Sequence, residues 1–387
     1  MERAENNLSH IAYFGIAGLC SLFVGVGLCR FSYTPLVPAM IEQGWLTKVS
    51  ASYLGTIHFF GYLLGALSAY RIVKHIAAHK VIRWSFLLSI IGLGMCAINE
   101  GFFWLSIGRF IVGVTGAILT IITPSEIWKH VPSIYKTRVM GMVISGVSLG
   151  VMTSGFLLPI LTRISLFVAW LGSASIALVA TVVAWPAFSD RESKSEMATP
   201  SPSPKKINYR SVTLICTAYG IGCIGFIAFS LFLSDYAHQQ LHLSIMASGF
   251  FLGVFGMGGL CGSYVSGWTA DKTSPYRVLI ASFVITLTTI GILLMHPYLY
   301  LYILTTFLMG ASLQSIVTLT STRMLELGGA ENHTLLWGRA TLSYSVIQFI
   351  SAYLMSFLLA HGADYRDCFM LAEITAFLAL IMVVCAK

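Results

Sequence analysis

FFWLSIGRFIVGVTGAILTIIT, Phe102 to Thr123, holds a single charge, Arg109, in 22 residues. About 20 apolar residues wound as a helix cross a hydrocarbon layer roughly 30 Å thick, so this stretch reads as a membrane span with one guanidinium inside it. Runs of the same kind recur on both sides of it. Of 387 residues, 57% are hydrophobic and 10% charged, against roughly 25% charged in ordinary soluble domains, and no soluble core absorbs that excess. Backbone polar groups in lipid must be satisfied within a segment or in a closed barrel; because the runs are long and unbroken, the spans are helices. The composition excludes a soluble enzyme, a nucleic-acid binder and a secreted module.

Working outward from that stretch, hydropathy gives spans near Ile11–Met40, Ser52–Ile72, Val81–Ile98, Phe102–Thr123, Val139–Leu161 and Leu166–Trp185. The next segment, DRESKSEMATPSPSPKKINYR from Asp190 to Arg210, is Ser, Pro and charge and cannot bury a core. Six more spans follow near Ser211–Leu233, Ile245–Trp268, Val278–Met295, Leu299–Ser321, Leu335–Leu359 and Phe369–Cys385. The expected architecture is an all-α polytopic membrane protein of twelve transmembrane helices, with a six-helix bundle over 1–189, a cytoplasmic linker over 190–210 and a second six-helix bundle over 211–387.

The net charge is +8, but its distribution says more than its sum. With the N-terminus placed inside, 18 Lys and Arg fall on the cytoplasmic side and three, Lys48, Arg163 and Arg366, on the other; Arg30 and Arg109 lie within spans. That bias puts both termini and the linker in the cytoplasm. Met1 to Asn7 carries two acids and one Arg and leads into the first span with no A-x-A site, so no cleaved leader is expected. Eight cysteines lie scattered through apolar runs without a C-x-x-C pair and read as small core residues, not as a metal site or disulfide framework.

The halves repeat each other. Gly65 and Gly267 are 202 residues apart, Glu126 and Glu326 200, and Arg138 and Arg339 201. Parallel six-helix repeats of this kind mark one transporter architecture. On these residues the chain resembles the major facilitator superfamily over nearly its whole length. GWTADKTSPYR, Gly267 to Arg277, is similar to the G-x-x-x-D-[RK] loop motif of that superfamily between its eighth and ninth helices. In the first half, GALSAYRIVKH keeps Gly65 but has Ala69 where the pattern places Asp. GRFIVGVTGA, Gly108 to Ala117, is similar to the fourth-helix motif of an intramembrane Arg followed by Gly at helical spacing, and GVGLCRFSYTPLVP (Gly25–Pro38) with GYLLGA (Gly61–Ala66) resembles the bacterial YbfB/YjiJ-type branch. The resemblance implies alternating access, with helices one, four, seven and ten lining a central cavity. No G-x-x-x-x-G-K-[ST] loop is present for ATP, so an ion gradient is the expected drive.

Arg30 and Arg109 are the candidate substrate-binding cations, at similar expected depth in two helices that the resemblance places beside the cavity. An intramembrane Arg costs at least about 2.5 to 3.5 kcal/mol and marks a pathway or a partner, and its fork suits a carboxylate or phosphate. The alternative role for either is bonding helix carbonyls. Tyr33 and Tyr219 are candidate lining residues. Asp271, Glu326 and Arg339, with Glu126 and Arg138 as the first-half copy, are the expected cytoplasmic gate, Asp271 pairing with Arg339. Glu373 and His58 are the candidate proton carriers. Asp235, His238 and His242 share a face at i, i+3 and i+7 if their helix continues, a spacing that suits a metal ion or a pH sensor and equally suits wetted loop residues.

The expectation is therefore a secondary active transporter of a small anionic organic solute, a proton symporter in the bacterial inner membrane, monomeric, with no cofactor, metal or nucleic-acid partner. Two alternatives stay open: a multidrug or metabolite efflux pump, against which the basic character of the intramembrane charges weighs, and a non-transporting membrane sensor or scaffold.

Overall fold

Helix starts follow from short polar side chains that satisfy otherwise orphaned N–H groups. Thr47 Oγ1 accepts from the Ser50 N–H at 3.1 Å while Ser50 Oγ accepts from the Thr47 N–H at 2.8 Å. Ser165 caps Val168 at 3.1 Å, Asn208 caps Ser211 at 3.3 Å, and Asp364 and Asp367 form a second reciprocal box. The computed structural model describes residues 2–132, 136–189, 207–295 and 298–386, with side chains from Ile11 onward except those of 136–138, 240, 330, 331, 333 and 334. The expected linker and the Arg138 side chain thus lie largely outside the described residues.

Among the described residues the long elements are all helices: α1 (Ile11–Glu42), α2 (Lys48–His75), α3 (Ala78–Met95), α4 (Gly101–Trp128), α5 (Lys136–Leu161), α6 (Leu166–Ala184), α7 (Tyr209–Leu241), α8 (Ile245–Lys272), α9 (Pro275–Leu294), α10 (Leu299–Gly329), α11 (Leu335–Ala360) and α12 (Tyr365–Cys385). Ten are long and apolar enough to cross a membrane. The two that fall short are α2, diluted by Tyr53, His58 and Tyr62, and α3, which carries His79, Lys80 and Arg83 in a helix of only 18 residues. Large apolar side chains such as Phe103, Val179 and Tyr264 stand on the outside of the helices, the pattern of a protein whose solvent is lipid.

Two units are compact: Met1–Met197 with Ser244–Gly253, and Ala198–Leu243 with Val254–Lys387. In the first, α4 packs on α2 and α3, and α1 on α5; in the second, α7 packs on α10, α11 and α12, and α9 on α10 and α12. Each unit contains the same polar clasp. Ser89 of α3 donates to Thr115 of α4 at 2.8 Å, and Thr286 of α9 donates to Ser312 of α10 at 3.0 Å, with the same spacing of 26 residues in both.

Two elements depart from the regular spans expected from sequence. α1 is interrupted by a π-helical stretch, Phe23–Leu28, a short turn, Cys29–Phe31, and a tighter 3₁₀ turn, Thr34–Leu36, containing Pro35. Proline supplies no N–H and disfavours regular helix before it. Glycine lets the π stretch sit against its neighbour: a Cβ on Gly27 would overlap the Cα of Gly150 on α5. α10 and α11 are separated by a kink at Gly329, whose non-helical φ of 71° and ψ of 174° only glycine adopts without strain.

Candidate functional site

The break in α1 sets the candidate site. Arg30 sits in the three-residue turn after the π stretch, 8% exposed, with its guanidinium carbon 4.6 Å from the ring centre of Phe59 on α2 and 5.4 Å from that of Phe31. Cations over ring faces gain roughly 0.5 to 2 kcal/mol, more when desolvated. Arg109 of α4 is 1% exposed. Its Nη1 donates to the Cys29 carbonyl at 2.8 Å, where regular helix gives out, and its guanidinium carbon lies 4.7 Å from the ring centre of Tyr33. The Tyr33 hydroxyl is in turn anchored to the Ala51 carbonyl at 2.6 Å. His58, buried beside Phe59, lies within electrostatic reach of both arginines, which also feel each other, and Tyr62 lies within reach of Arg30.

Arg30, Arg109, Tyr33 and His58 therefore meet in one place. Glycine is what lets α2 and α4 approach there, since a Cβ on Gly113 would overlap the His58 carbonyl. From Ile11 to Ser189 the sequence has three acids, Glu42, Glu100 and Glu126, each at a helix end. The interior of this unit is consequently positive, in surroundings where charges interact far more strongly than in water. Such a cluster attracts an anion.

The expected gate residues are arranged differently. Asp271 and Arg339 are both exposed, and among the described residues no ion pair joins them. Glu326 pairs instead with Arg323 at 2.7 Å, and the Arg323 guanidinium lies 5.1 Å from the Tyr276 ring centre. Glu126 pairs with Lys129 at 2.7 Å and reaches His130 at 4.0 Å. In both halves a carboxylate takes a cation one turn away on the same chain segment, which needs no approach of two helices.

Tyr219 of α7 packs on Tyr344 and Trp337, with ring centres 4.8 and 5.9 Å away. Glu373 lies half-buried midway along α12 and faces Gly291 of α9; its Oε2 has no hydrogen-bond partner among the described residues. The Asp235–His238–His242 face does not form, because His242 leaves α7 in the left-handed region at φ 50°. His238 Nδ1 donates to the Leu243 carbonyl at 2.6 Å, while Asp235 turns inward to Tyr365 of α12. The described residues contain no group of three metal-ligating side chains. Sequence reasoning missed Phe59 and Tyr365. Phe59 is an ordinary apolar letter in a span, but an Asp preceded by twenty apolar and small residues was a usable signal for a buried acid.

A repeated clasp and a buried cationic cluster between the spans of a multi-pass helical protein suit a membrane transporter, and the family match makes the chain one, not an enzyme. The chain belongs to the major facilitator family described as "Uncharacterised MFS-type transporter YbfB", whose profile matches residues 22–384. It is 24% identical over 269 residues to "Uncharacterized MFS-type transporter YceJ" of Bacillus subtilis, covering 67% of this chain and 68% of that one. It is also 24% identical over 285 residues to a "Putative metabolite transport protein" of Haemophilus influenzae, covering 67% of this chain and 65% of the relative. Over 136 residues it is 28% identical to the "Benzoate transport protein" of Acinetobacter baylyi, covering 33% of this chain and 29% of that protein.

Proposed function

We propose that the chain is a secondary active transporter that moves a small organic anion by alternating access of two six-helix bundles, twelve spans in all, coupled to protons. The observation that carries the reading is the buried meeting of Arg30, Arg109 and His58 in a unit whose three acids between Ile11 and Ser189 all lie at helix ends. The two arginines divide the work. Arg109, bound to the Cys29 carbonyl, holds the broken segment of α1 in place, and Tyr33 positions Arg109. Arg30, more exposed and flanked by Phe31 and Phe59, grips the anion.

A planar carboxylate carrying a ring or a short apolar body suits a guanidinium between phenyl faces. The name of the Acinetobacter relative makes benzoate the natural first ligand to test. Glu373 is a proposed proton carrier, and His58 the second, taking a proton only once a bound anion offsets the two arginines beside it; Tyr219 lines the path in the second unit. Asp271, Glu326 and Arg339, with Glu126 and Arg138, form the cytoplasmic gate in the conformation that closes it. The basic bias of the loops supports a bacterial inner-membrane protein with both termini inside.

Binding of benzoate, other organic anions and organic cations to the detergent-purified protein tests the reading. Removing one partner of a desolvated charge pair costs on the order of 2 to 5 kcal/mol, so Arg30→Met is expected to weaken anion binding by roughly 30-fold or more. Arg30→Lys, which keeps the charge and loses the fork, should also bind markedly less well. Preference for a cation, or equal anion affinity in wild type and both variants, removes Arg30 from the site.

A further inference from the structure

The most deeply buried acid in the described interior of the second unit is Asp235, 2% exposed and inside the apolar length of α7. An ionisable group at such a place is costly and usually functional. Its Oδ2 accepts a hydrogen bond from the Tyr365 hydroxyl of α12 and a second from Gln239 Nε2 at 2.8 Å. Two donors on one oxygen are the pattern of an oxygen that carries no proton of its own. Tyr365 stacks on Phe232 of α7 at 4.9 Å between ring centres, and Tyr236 packs on Phe369 of α12 at 5.1 Å, so aromatic rings close the inner side. On the other side Gln239 is exposed and bonded to the carboxylate, at the end of α7 that meets water.

The described titratable and charged groups around it come from three helices. On α7 they are Tyr236 and His238, the latter engaged with the Leu243 carbonyl. On α12, beside Tyr365, the exposed Arg366 acts on Tyr236. On α10, Tyr302 donates to the Leu233 carbonyl at 3.3 Å and stacks with Tyr236.

We propose that Asp235 is a proton-binding carboxyl whose charge state sets the tie between α7 and α12. A proton taken from water near Gln239 forms an O–H bond on the carboxylate, giving the neutral acid. If it lands on Oδ2, that oxygen becomes a donor, and at least one of its two present donors has to leave or turn to accept from it. Binding one proton thus rewrites a contact between two helices of the same unit, and loss of the proton to water restores it. The inference rests on the ion-coupled reading above and adds to it a proton site distinct from Glu373 and His58.

The test needs no solute, so an error in the proposed solute class leaves it unaffected, and its failure leaves the Arg30 binding result unaffected. Infrared difference spectra of the full-length protein in detergent, taken across a pH titration, report each carboxylic C=O that gains or loses a proton. A titrating band is expected in wild type that is absent in Asp235→Asn. In Tyr365→Phe, which lacks one donor to the ionised form, the midpoint of that band should be displaced by about one pH unit, a tenfold change in proton affinity. Tyr365→Phe keeps the proposal testable if Asp235→Asn fails to fold. A carboxyl spectrum identical in wild type and Asp235→Asn, or a band whose midpoint ignores Tyr365→Phe, overturns the proposal.

Discussion

Arg109 and Arg30 differ in what each would take away if lost. Arg109 is bonded to a backbone carbonyl in an apolar interior, and hydrogen bonds to charged groups contribute roughly 1.5 to 3 kcal/mol, with a further penalty for the carbonyl left unmet. Arg109→Met is therefore expected to lower the melting temperature and the yield of detergent-purified protein, whereas Arg30→Met leaves both near wild type and shows its defect in anion binding. A melting curve for each variant checks this; equal losses in both would mean that Arg30 is also a structural prop. Both arginines were legible in the sequence, because a charge inside a long apolar run has to be explained. Their partners were not. Which carbonyl Arg109 meets depends on where α1 breaks, and nothing in the letters of Phe59 distinguishes it from the lipid-facing Phe60 beside it. Asp235 was hidden for a different reason: grouped with two nearby histidines, it read as part of a wet helix end, whereas His242 leaves the helix at its left-handed turn and His238 bonds the Leu243 carbonyl while Asp235 turns inward.

Close helix approach makes its own prediction. A Cβ on Gly113 would run into the His58 carbonyl and one on Gly27 into Gly150, backbone in both cases, so neither obstacle can swing aside. Overpacking of this kind costs typically 1 to 3 kcal/mol. Gly113→Ala and Gly27→Ala are expected to lower thermal stability, and Gly141→Ala, at a glycine with open space around it, serves as the control that does not. A Gly113→Ala protein as stable as the control would show that α2 and α4 part easily. Asp271→Asn should likewise leave stability within about 0.5 kcal/mol, as for other exposed substitutions away from special contacts, so any effect it has on transport reports the gate. At this scale most helix positions could be read from hydropathy, since a run of apolar letters has few other fates. The π stretch in α1 and the kink at Gly329 could not, because the first depends on what α4 and α5 present to it and the second turns on the backbone of one glycine among polar residues that also suit a loop.

For the whole chain, the proposed orientation predicts that a reporter active only in the cytoplasm works when fused within residues 190–210 and fails when fused after Lys48 or Arg163. Activity reversed at the three sites would invert the topology. The clasp of Ser89 with Thr115 and its counterpart of Thr286 with Ser312 put the internal repeat on a physical footing, because the same pair of hydroxyls ties corresponding helices in each unit. The two helices too polar to rank with the other ten also bear on how the protein is made. As α2 and α3 leave the ribosome, each is expected to partition into lipid less firmly than the other ten by its own composition; Lys or Arg at the centre of a nascent span each cost about 2.5 to 3.5 kcal/mol in insertion assays, less toward its ends. Their retention in the bilayer then depends on a segment synthesised later, α4, whose glycines offer α2 a close seat. Chains released after Met95 should integrate these two segments poorly, and chains extended through Trp128 should integrate them well, as glycosylation tags in microsomes would record. Biogenesis of the amino-terminal unit would thus be a cooperative step, with the helix that carries Arg109 recruiting the pair translated before it.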